Sequence, residues 1–535
     1  MEKNYVLAMY DVRGKQEFIF KTNKLREIVG GSWIIRDIYE DYLYESANAA
    51  GGKIYNYRKD EGDVSFSRNS FEKHIEEGYI GEIVYEGGGN FLLLFRDEQT
   101  FRDVTYQFTK TVTERIGSLR VLGTCISIDG FDAFDKDRAD LYKEHRKNET
   151  QESNIAPWSC LPIVQVDRKT SQPLVDYDYS GEKIETIDSI RRQIQAKGVE
   201  GKLTKESTAK LLKYYKEVER MKASDYDKLS KLERDFYCNN EDLLDNLVTE
   251  KGVESQLAVV YIDGNSMGAK VQKVTEGKKT YEDCIQALRN FSEETQRIYV
   301  EDGVEHTLQD LQGDENKKVY RIVVSAGDEI NFIVNAHDAF RCAENYLKYL
   351  KGQGGASACA GIAVFHSHAP YADVYRIAEE ACESGKQKMK KEELQCASFV
   401  DFHICQGAIG VSLEQIREEE NGEIISRPWL LWDTDNKGCP EATTYEEVNT
   451  ALDFFRCFTR SNVKGLISAA KEGIVPLQME INRMYGHSKD KDEKKHKEAW
   501  EKLSKKLGEN EKKWRGIIYD IALCYDLWFR EEGKQ

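Results

Sequence analysis

The chain begins with a run of apolar residues, Tyr5-Val6-Leu7-Ala8-Met9-Tyr10, that closes on Asp11. So short a continuous apolar span predicts a buried strand. Gly14 to Val29 predicts a helix that Gly30-Gly31 interrupts, and Ser32 is placed to cap a further helix carrying Trp33, Ile34, Ile38 and Leu43. Glu82-Ile83-Val84-Tyr85 and Phe91-Leu92-Leu93-Leu94-Phe95 predict two strands, with Gly87-Gly88-Gly89-Asn90 as their hairpin turn. A helix from Glu98 to Arg115 and a strand from Arg120 to Ile128 complete a β-α-β-β-α-β order, which is ferredoxin-like.

The same order returns later. Leu257-Ala258-Val259-Val260-Tyr261-Ile262 predicts a second buried strand ending on an acid, Asp263. A helix over Tyr281 to Tyr299 follows, then strands Val319 to Ser325 and Ile330 to Val334 joined through Ala326-Gly327-Asp328-Glu329. Helix Ala336 to Tyr349, strand Ser357 to Phe365 and helix Ala372 to Lys390 close the copy. The expected fold is α/β (α+β), with two ferredoxin-like βαββαβ domains in a pseudo-two-fold arrangement. Asp11 is then equivalent to Asp263, and the Gly88-Gly89 turn to Gly327-Asp328. The expected boundaries are 1–128 and 251–440 for the two copies, 129–250 for a linker and helical insertion, and 441–535 for a C-terminal helical domain. The charged tract Leu203 to Leu232 predicts a solvated helical face.

Composition narrows the function. A net charge of −17, from 77 basic and 94 acidic residues, favours a small anion carried with a metal over a long polyanion. No apolar run approaches the roughly 20 residues that span a bilayer, so no membrane association is expected. Neither is a signal peptide, and a cytoplasmic location follows. The 12 cysteines include no C-x-x-C pair, so neither a disulfide framework nor a structural zinc is expected. Cys359, Cys382, Cys396 and Cys405 read as core fillers. His337-Asp338 reads as a helix start, and His366 and His368 as packing or hydrogen-bonding side chains.

The second copy places Asp263 at the end of its first strand and Asp328 and Glu329 in its central hairpin. In a ferredoxin-like sheet those strands are neighbours, so the acids meet at one edge. Carboxylates this close repel unless something positive sits among them. Magnesium (or manganese) is the natural partner, because hard cations take oxygen ligands and bridge phosphates. On this reading Asp263, Asp328 and the Ile262 carbonyl hold the metal, with Glu329 a second ligand or an electrostatic helper. Replacing an acid with its amide should then relieve repulsion. Gly327 allows a tight turn and close phosphate approach. Gly264-Asn265-Ser266-Met267-Gly268 suits a triphosphate at a helix N-terminus, and Lys386 can supply a point charge to it.

Tyr261-Ile262-Asp263-Gly264-Asn265-Ser266-Met267-Gly268 and Ala326-Gly327-Asp328-Glu329 resemble the palm motifs of the large, polymerase-like subunit of type III CRISPR effectors. They are more distantly similar to those of GGDEF diguanylate cyclases. The similarity continues through His366-Ser367-His368-Ala369-Pro370, Phe399-Val400-Asp401-Phe402-His403 and Arg427-Pro428-Trp429. In the first copy it takes in Tyr10 to Phe20, Asn23-Lys24-Leu25 and Gly87 to Asn90, and between the copies Leu161-Pro162-Ile163-Val164-Gln165.

The resemblance implies magnesium-dependent joining or cyclisation of NTPs, ATP foremost, into a cyclic or linear oligonucleotide second messenger in antiviral defence. It also implies two palms that sandwich two nucleotides, and a CRISPR or defence-system protein or an RNA as activator. Asp263, Asp328, Glu329 and Lys386 would be catalytic. Asp11, Ser32, Gly88, Gly89, Asn90, Gly264, Asn265, Ser266 and Gly327 would line the nucleotides.

Against the family pattern, no nuclease domain is expected before Tyr5 and no cysteine-rich zinc insertion is expected. The hairpin has alanine at its first glycine position and glutamate at its second acid. The first copy's turn carries no acid, so Asp11 is expected to stand without partners, in a copy that binds nucleotide without metal. Two readings compete with catalysis: a non-catalytic palm scaffold in an RNA-guided complex, and a sensor that binds a nucleotide without turning it over.

Overall fold

The computed structural model describes residues 4–23, 25–60, 64–87, 90–117, 119–151, 174–175, 203–223, 244, 247–248, 254–308, 311, 320–394, 396–406, 410–420, 424–433, 441–488 and 494–528. Contacts divide the chain into two compact units. One comprises Met1–Asn240, Ser266–Arg297 and Ala326–Asp328; the other comprises Glu241–Asn265, Ile298–Ser325 and Glu329–Gln535.

The first unit holds a five-stranded sheet of β1 (Val6–Arg13), β2 (Lys53–Tyr55), β3 (Tyr79–Gly87), β4 (Asn90–Phe95) and β5 (Arg120–Ser127). Their order is β2-β3-β4-β1-β5. β1 is antiparallel to both neighbours and sets Asp11 opposite Asn90 and Leu122. One face of the sheet packs Tyr5, Leu7, Met9, Leu92 and Leu94 against Phe71 and against Tyr281, Ile285 and Leu288 of the helix Tyr281–Thr295. That helix also carries Arg289, which is fully buried. Its guanidinium donates to Glu82 at 2.7 Å, to the Ile83 carbonyl at 2.5 Å and to the Ser65 carbonyl at 2.8 Å. It also lies over the Tyr57 ring. A buried charge is tolerated only when paired and hydrogen-bonded in this way.

Two expectations change in this unit. Gly30-Gly31 does not interrupt a helix: Leu25–Ile38 runs through it, and Ser32 lies buried mid-helix instead of capping one. The glycines are there for close packing. A Cβ on Gly30 would fall 2.0 Å from the carbonyl oxygen of Lys210, in the helix Lys205–Ala223. That second helix is not a solvated face over its described residues. Lys210 is 1% exposed and pairs with Glu206 at 2.7 Å, and Lys213 pairs with Asp37, Asp41 and Glu217. Its charges are buried because acids on the helix itself, on Leu25–Ile38 and on the turn Tyr39–Leu43 that follows neutralise them. β6 (Leu174–Val175) and β7 (Leu203–Thr204) form a small antiparallel ladder. Leu161 to Gln165 lie outside the described residues.

The second unit is built on β8 (Gln256–Gly264), β9 (Tyr320–Ala326), β10 (Glu329–Asn335), β11 (Ala358–His366), β12 (Ala397–Ile404), β13 (Trp429–Asp433) and β14 (Thr443–Thr444). The order is β14-β13-β12-β11-β8-β10-β9. The portion β9-β10-β8-β11 repeats β3-β4-β1-β5, so both sheets have ferredoxin-like βαββαβ order. The three further strands were not expected from the pattern. The predicted helix over Tyr281 to Tyr299 ends at Thr295 and continues as a wider π-helical turn, Gln296–Asp302.

Segments that carried the family resemblance supply the buried ionic centre of this unit. Asp401 on β12 accepts from Arg417 at 2.6 and 3.0 Å. Arg427 donates to Asp520 at 2.5 Å. Asp520 sits on the last of five C-terminal helices, Tyr445–Phe455, Arg460–Glu472, Ile474–His487, Lys494–Glu509 and Glu511–Trp528. Burial, with the guanidinium groups of Arg427 and Arg417 nearby, lowers His403 to about 3, so that imidazole is neutral. Among the described residues no helix is long and apolar enough to cross a membrane.

Two glycine substitutions test the packing with opposite signs. Gly30→Ala should lower the thermal midpoint, because backbone must move, at a cost of about 1–3 kcal/mol. Gly465→Ala, in the helix Arg460–Glu472 with no atom near its added Cβ, should raise it by about 0.5–1 kcal/mol. Melting curves of the two variants beside the wild type check both signs.

Candidate active site

β8 is buried and almost wholly apolar from Leu257 to Ile262, and Asp263 after them is half-buried. Its neighbours β10 and β11 are both antiparallel to it. The register sets Asp263 opposite Glu329 on one side and Cys359 on the other. Residues directly opposite in antiparallel strands project from the same face. Asp263, Glu329 and Cys359 therefore form one row across the sheet. Ile262 lies one position deeper, its side chain fully buried, opposite Ile330 and Ala360. Asp328 immediately precedes Glu329 in the turn. Gly327 holds a φ of 64° there, a left-handed conformation that favours glycine.

The helix Tyr371–Lys391 lies against this row. It approaches closely because a Cβ on Gly361 of β11 would fall 1.9 Å from the Ala378 carbonyl oxygen. Four side chains from one face of the helix then bond to the strands. Tyr371 donates to Asn331 Oδ1 at 2.6 Å, Tyr375 to Glu329 Oε1 at 3.1 Å, and Cys382 to the Cys359 carbonyl at 3.1 Å. Lys386 Nζ donates to Asp263 Oδ2 at 2.5 Å and to the Gly264 carbonyl at 3.0 Å. Spacings of four, seven and four residues bring these side chains round to one side of an α-helix. Tyr371 and Tyr375 were not singled out from sequence, and Cys382 was read there as a core filler, which its burial bears out. Their spacing ahead of Lys386 is the signal that could have found them.

The electrostatics are sharply divided. Burial works to lower the Lys386 ammonium, but Asp263 beside it outweighs that and holds it above the ordinary lysine range. Burial, then the neighbouring Glu329, raises the Tyr261 and Tyr375 phenols. Burial pushes the Cys359 thiol up to about 12. The phenols and the thiol are thus neutral, which argues against a thiolate nucleophile here. Oxygen donors at the end of β8 and the start of β10 fit a hard divalent cation. Asp263 Oδ2 already holds a cation, the Lys386 ammonium, which shows that the position attracts positive charge.

The turn after Asp263 has two roles. Asn265 is buried, and its amide donates to the Ala397 carbonyl at 2.8 Å and to Ser357 Oγ at 3.2 Å. Its side chain shapes the turn and is not presented to solvent. Ser266 is exposed, with φ 57°, at the start of the helix Met267–Val274. His337 pairs with Glu254 at 2.6 Å, and His366 and His368 lie exposed with their rings stacked. Cys359 and Cys382 are core residues, but Cys396 and Cys405 are only half-buried, because they lie just outside the ends of β12.

In the first copy Gly88 and Gly89 lie outside the described residues, and Asn90 stands opposite Asp11. Asp11 does not stand without partners. Arg13 donates to it at 3.0 Å, Lys15 lies at 3.6 Å and His145 at 3.9 Å. Burial alone would raise its carboxyl, but His145, Arg13 and Lys15 together hold it below the usual range. The sequence pattern offered Asp11 no partner because its hairpin turn carries no acid, whereas its partners are Arg13 and Lys15 just beyond it and His145 of the helix Phe134–Gln151.

The Lys386 contact reverses one stability expectation. Asp263→Asn removes the partner of a mostly buried ammonium instead of relieving repulsion. It should lower the thermal midpoint without added metal, by about 1–3 kcal/mol. A raised midpoint would show that carboxylate repulsion dominates.

Residues 256–395 match the family described as Cas10/Cmr2, second palm domain. The match runs from β8 through the helix Tyr371–Lys391 and so contains Asp263, Asp328, Glu329, Tyr375 and Lys386. Among solved structures, the Csm1-Csm4 cassette in complex with pppApA is similar at 12% identity and a TM-score of 0.48, covering 99% of this chain and 70% of that one. The apo Csm1-Csm4 cassette gives 14% and 0.46 over the same shares. The cassette in complex with AMPPNP gives 12% and 0.39, covering 72% of this chain and 53% of that one, so the match spans about half of its length. Comparison with curated proteins finds no match. Through residues 256–395 the chain resembles the palm-bearing Cas10/Cmr2 large subunit of type III CRISPR effectors.

Proposed function

We propose that the second palm is a magnesium- or manganese-dependent nucleotidyltransferase that joins or cyclises NTPs, ATP foremost, into an oligonucleotide second messenger. The observation that carries this is the β8–β10 register, which sets Asp263 opposite Glu329, with Asp328 one residue before it. The match to a Cas10/Cmr2 palm over the same residues supports it. That match also supports antiviral defence as the setting, with a CRISPR-system protein or an RNA as activator.

In the proposed reaction the 3′-hydroxyl oxygen of one nucleotide forms a bond to the α-phosphorus of another, and the bond to pyrophosphate breaks. Asp263, Asp328 and Glu329 would hold the metal, which supplies Lewis acidity at the reacting phosphate. Tyr375 fixes one oxygen of Glu329, so that side chain enters the reaction oriented. Lys386 is poised between Asp263 and the Gly264 carbonyl, and its ammonium can exchange the carboxylate for a triphosphate oxygen. Gly264, Ser266 and the amides opening the helix Met267–Val274 favour negative charge at the same end of β8. The first palm is proposed to bind a second nucleotide at its own strand ends, near Asn90.

Pyrophosphate release with each NTP, with magnesium or manganese and with and without candidate RNA activators, tests this. Asp263→Asn and Asp328→Asn should reduce turnover roughly a hundredfold or more, as loss of several kcal/mol of transition-state stabilisation requires. Glu329→Gln should cost less, because its carboxylate is partly engaged by Tyr375. Wild-type turnover in Asp263→Asn would move the active site elsewhere. A wild type inactive under every condition would favour a scaffold or sensor.

A further inference from the structure

The first palm contains a cluster that the proposed reaction does not use. Asp11, His145 and Glu149 each offer one ligand atom, and these atoms all lie within 4.8 Å of one another. His145 and Glu149 are four residues apart on the helix Phe134–Gln151, so they share one face. His145 Nε2 is 3.9 Å from Asp11 Oδ2 and 3.9 Å from Glu149 Oε1. His145 is only 4% exposed, and its Nε2 has no hydrogen-bond partner.

The other ring nitrogen is anchored. Nδ1 lies 3.0 Å from Thr124 Oγ1, which also accepts from the Asn148 amide at 3.1 Å. That bond fixes the ring so that Nε2 faces the two carboxylates. A contact of 3.9 Å is too long for a hydrogen bond. A buried nitrogen is thus aimed at two acids across a gap that nothing on the imidazole fills. Two ligands held by one ion at about 2.1 Å lie at most about 4.2 Å apart. Nε2 falls within that limit of both oxygens, and the Nδ1 anchor is the outer partner that metal-bound histidines have.

One cation already uses this place. Arg13 Nη1 donates to Asp11 Oδ2 at 3.0 Å and also to Glu149 Oε1, the same two atoms. The Arg13 side chain is one-third exposed and can swing away. Lys15 lies 3.6 Å from the other Asp11 oxygen and leaves Oδ2 to the cluster.

We propose that Asp11, His145 and Glu149 form a second metal site, which takes a first-row divalent cation such as zinc and which Arg13 closes when the metal is absent. One imidazole and two carboxylates leave an open position on such an ion. The lack of paired cysteines does not bear on a site of this composition.

Zinc titration by calorimetry tests the proposal. It uses the full chain, stripped with chelator, carrying Asp263→Asn and Asp328→Asn so that the second palm's acids do not compete. One equivalent should bind. His145→Gln and Glu149→Gln should each weaken binding at least tenfold, with thermal melts confirming that the variants fold. Arg13→Gln should tighten it severalfold, because it removes the competing cation, which a purely structural ion cluster would not do. Absence of binding, or affinity unchanged by both His145→Gln and Glu149→Gln, would overturn the site. So would weaker binding in Arg13→Gln.

Discussion

The second palm depends on the fit between one helix face and one strand register. β8, β10 and β11 align Asp263, Glu329 and Cys359 in a row, and the helix Tyr371–Lys391 fastens that row with Tyr371, Tyr375, Cys382 and Lys386. A one-residue slip of β10 would turn Glu329 to the opposite face and leave Tyr375 with no acceptor. Gly361 is what lets the helix come close enough for short side chains to reach. The chemistry proposed for the acids therefore rests on backbone packing several residues away from them.

The two copies share strand order and differ in how they satisfy the acid ending the first strand. In each, the helix that follows the last strand of the βαββαβ repeat, β5 or β11, reaches back to that acid. In the second copy it brings one lysine, which pairs with Asp263. In the first it brings an imidazole and a carboxylate, and the hairpin offers Asn90 where the second copy has Glu329. The same topology thus supports two donor sets of different chemistry.

Much of this was legible in the sequence because it depends on local pattern. Buried strands ending on Asp11 and Asp263, the β-hairpins and the βαββαβ order all follow from apolar runs and turn residues. Lys386 could be named because it stands on the last helix of the repeat, but its contact with Asp263 shows only in the fold. What sequence missed depends on partners far away in the chain. Gly30-Gly31 looks like a helix break until Lys210 is seen packed against it. The charges of Lys205–Ala223 look solvated until Asp37 and Asp41 are seen to meet Lys213. Asp11 looks isolated because His145 lies more than a hundred residues later. β12 to β14 extend the sheet beyond the repeat, where no second copy of the pattern marks them.

The most direct measurement of the central claim is mass spectrometry of the products formed from ATP labelled at the α-phosphate, with magnesium and with each candidate activator. The account predicts oligonucleotides that retain the label, with one pyrophosphate released per linkage. These products should be absent when Asp263 is replaced by asparagine. Recovery of ADP and inorganic phosphate would contradict attack at the α-phosphate. The same labelled products from the asparagine variant would contradict the placement of the site at the end of β8.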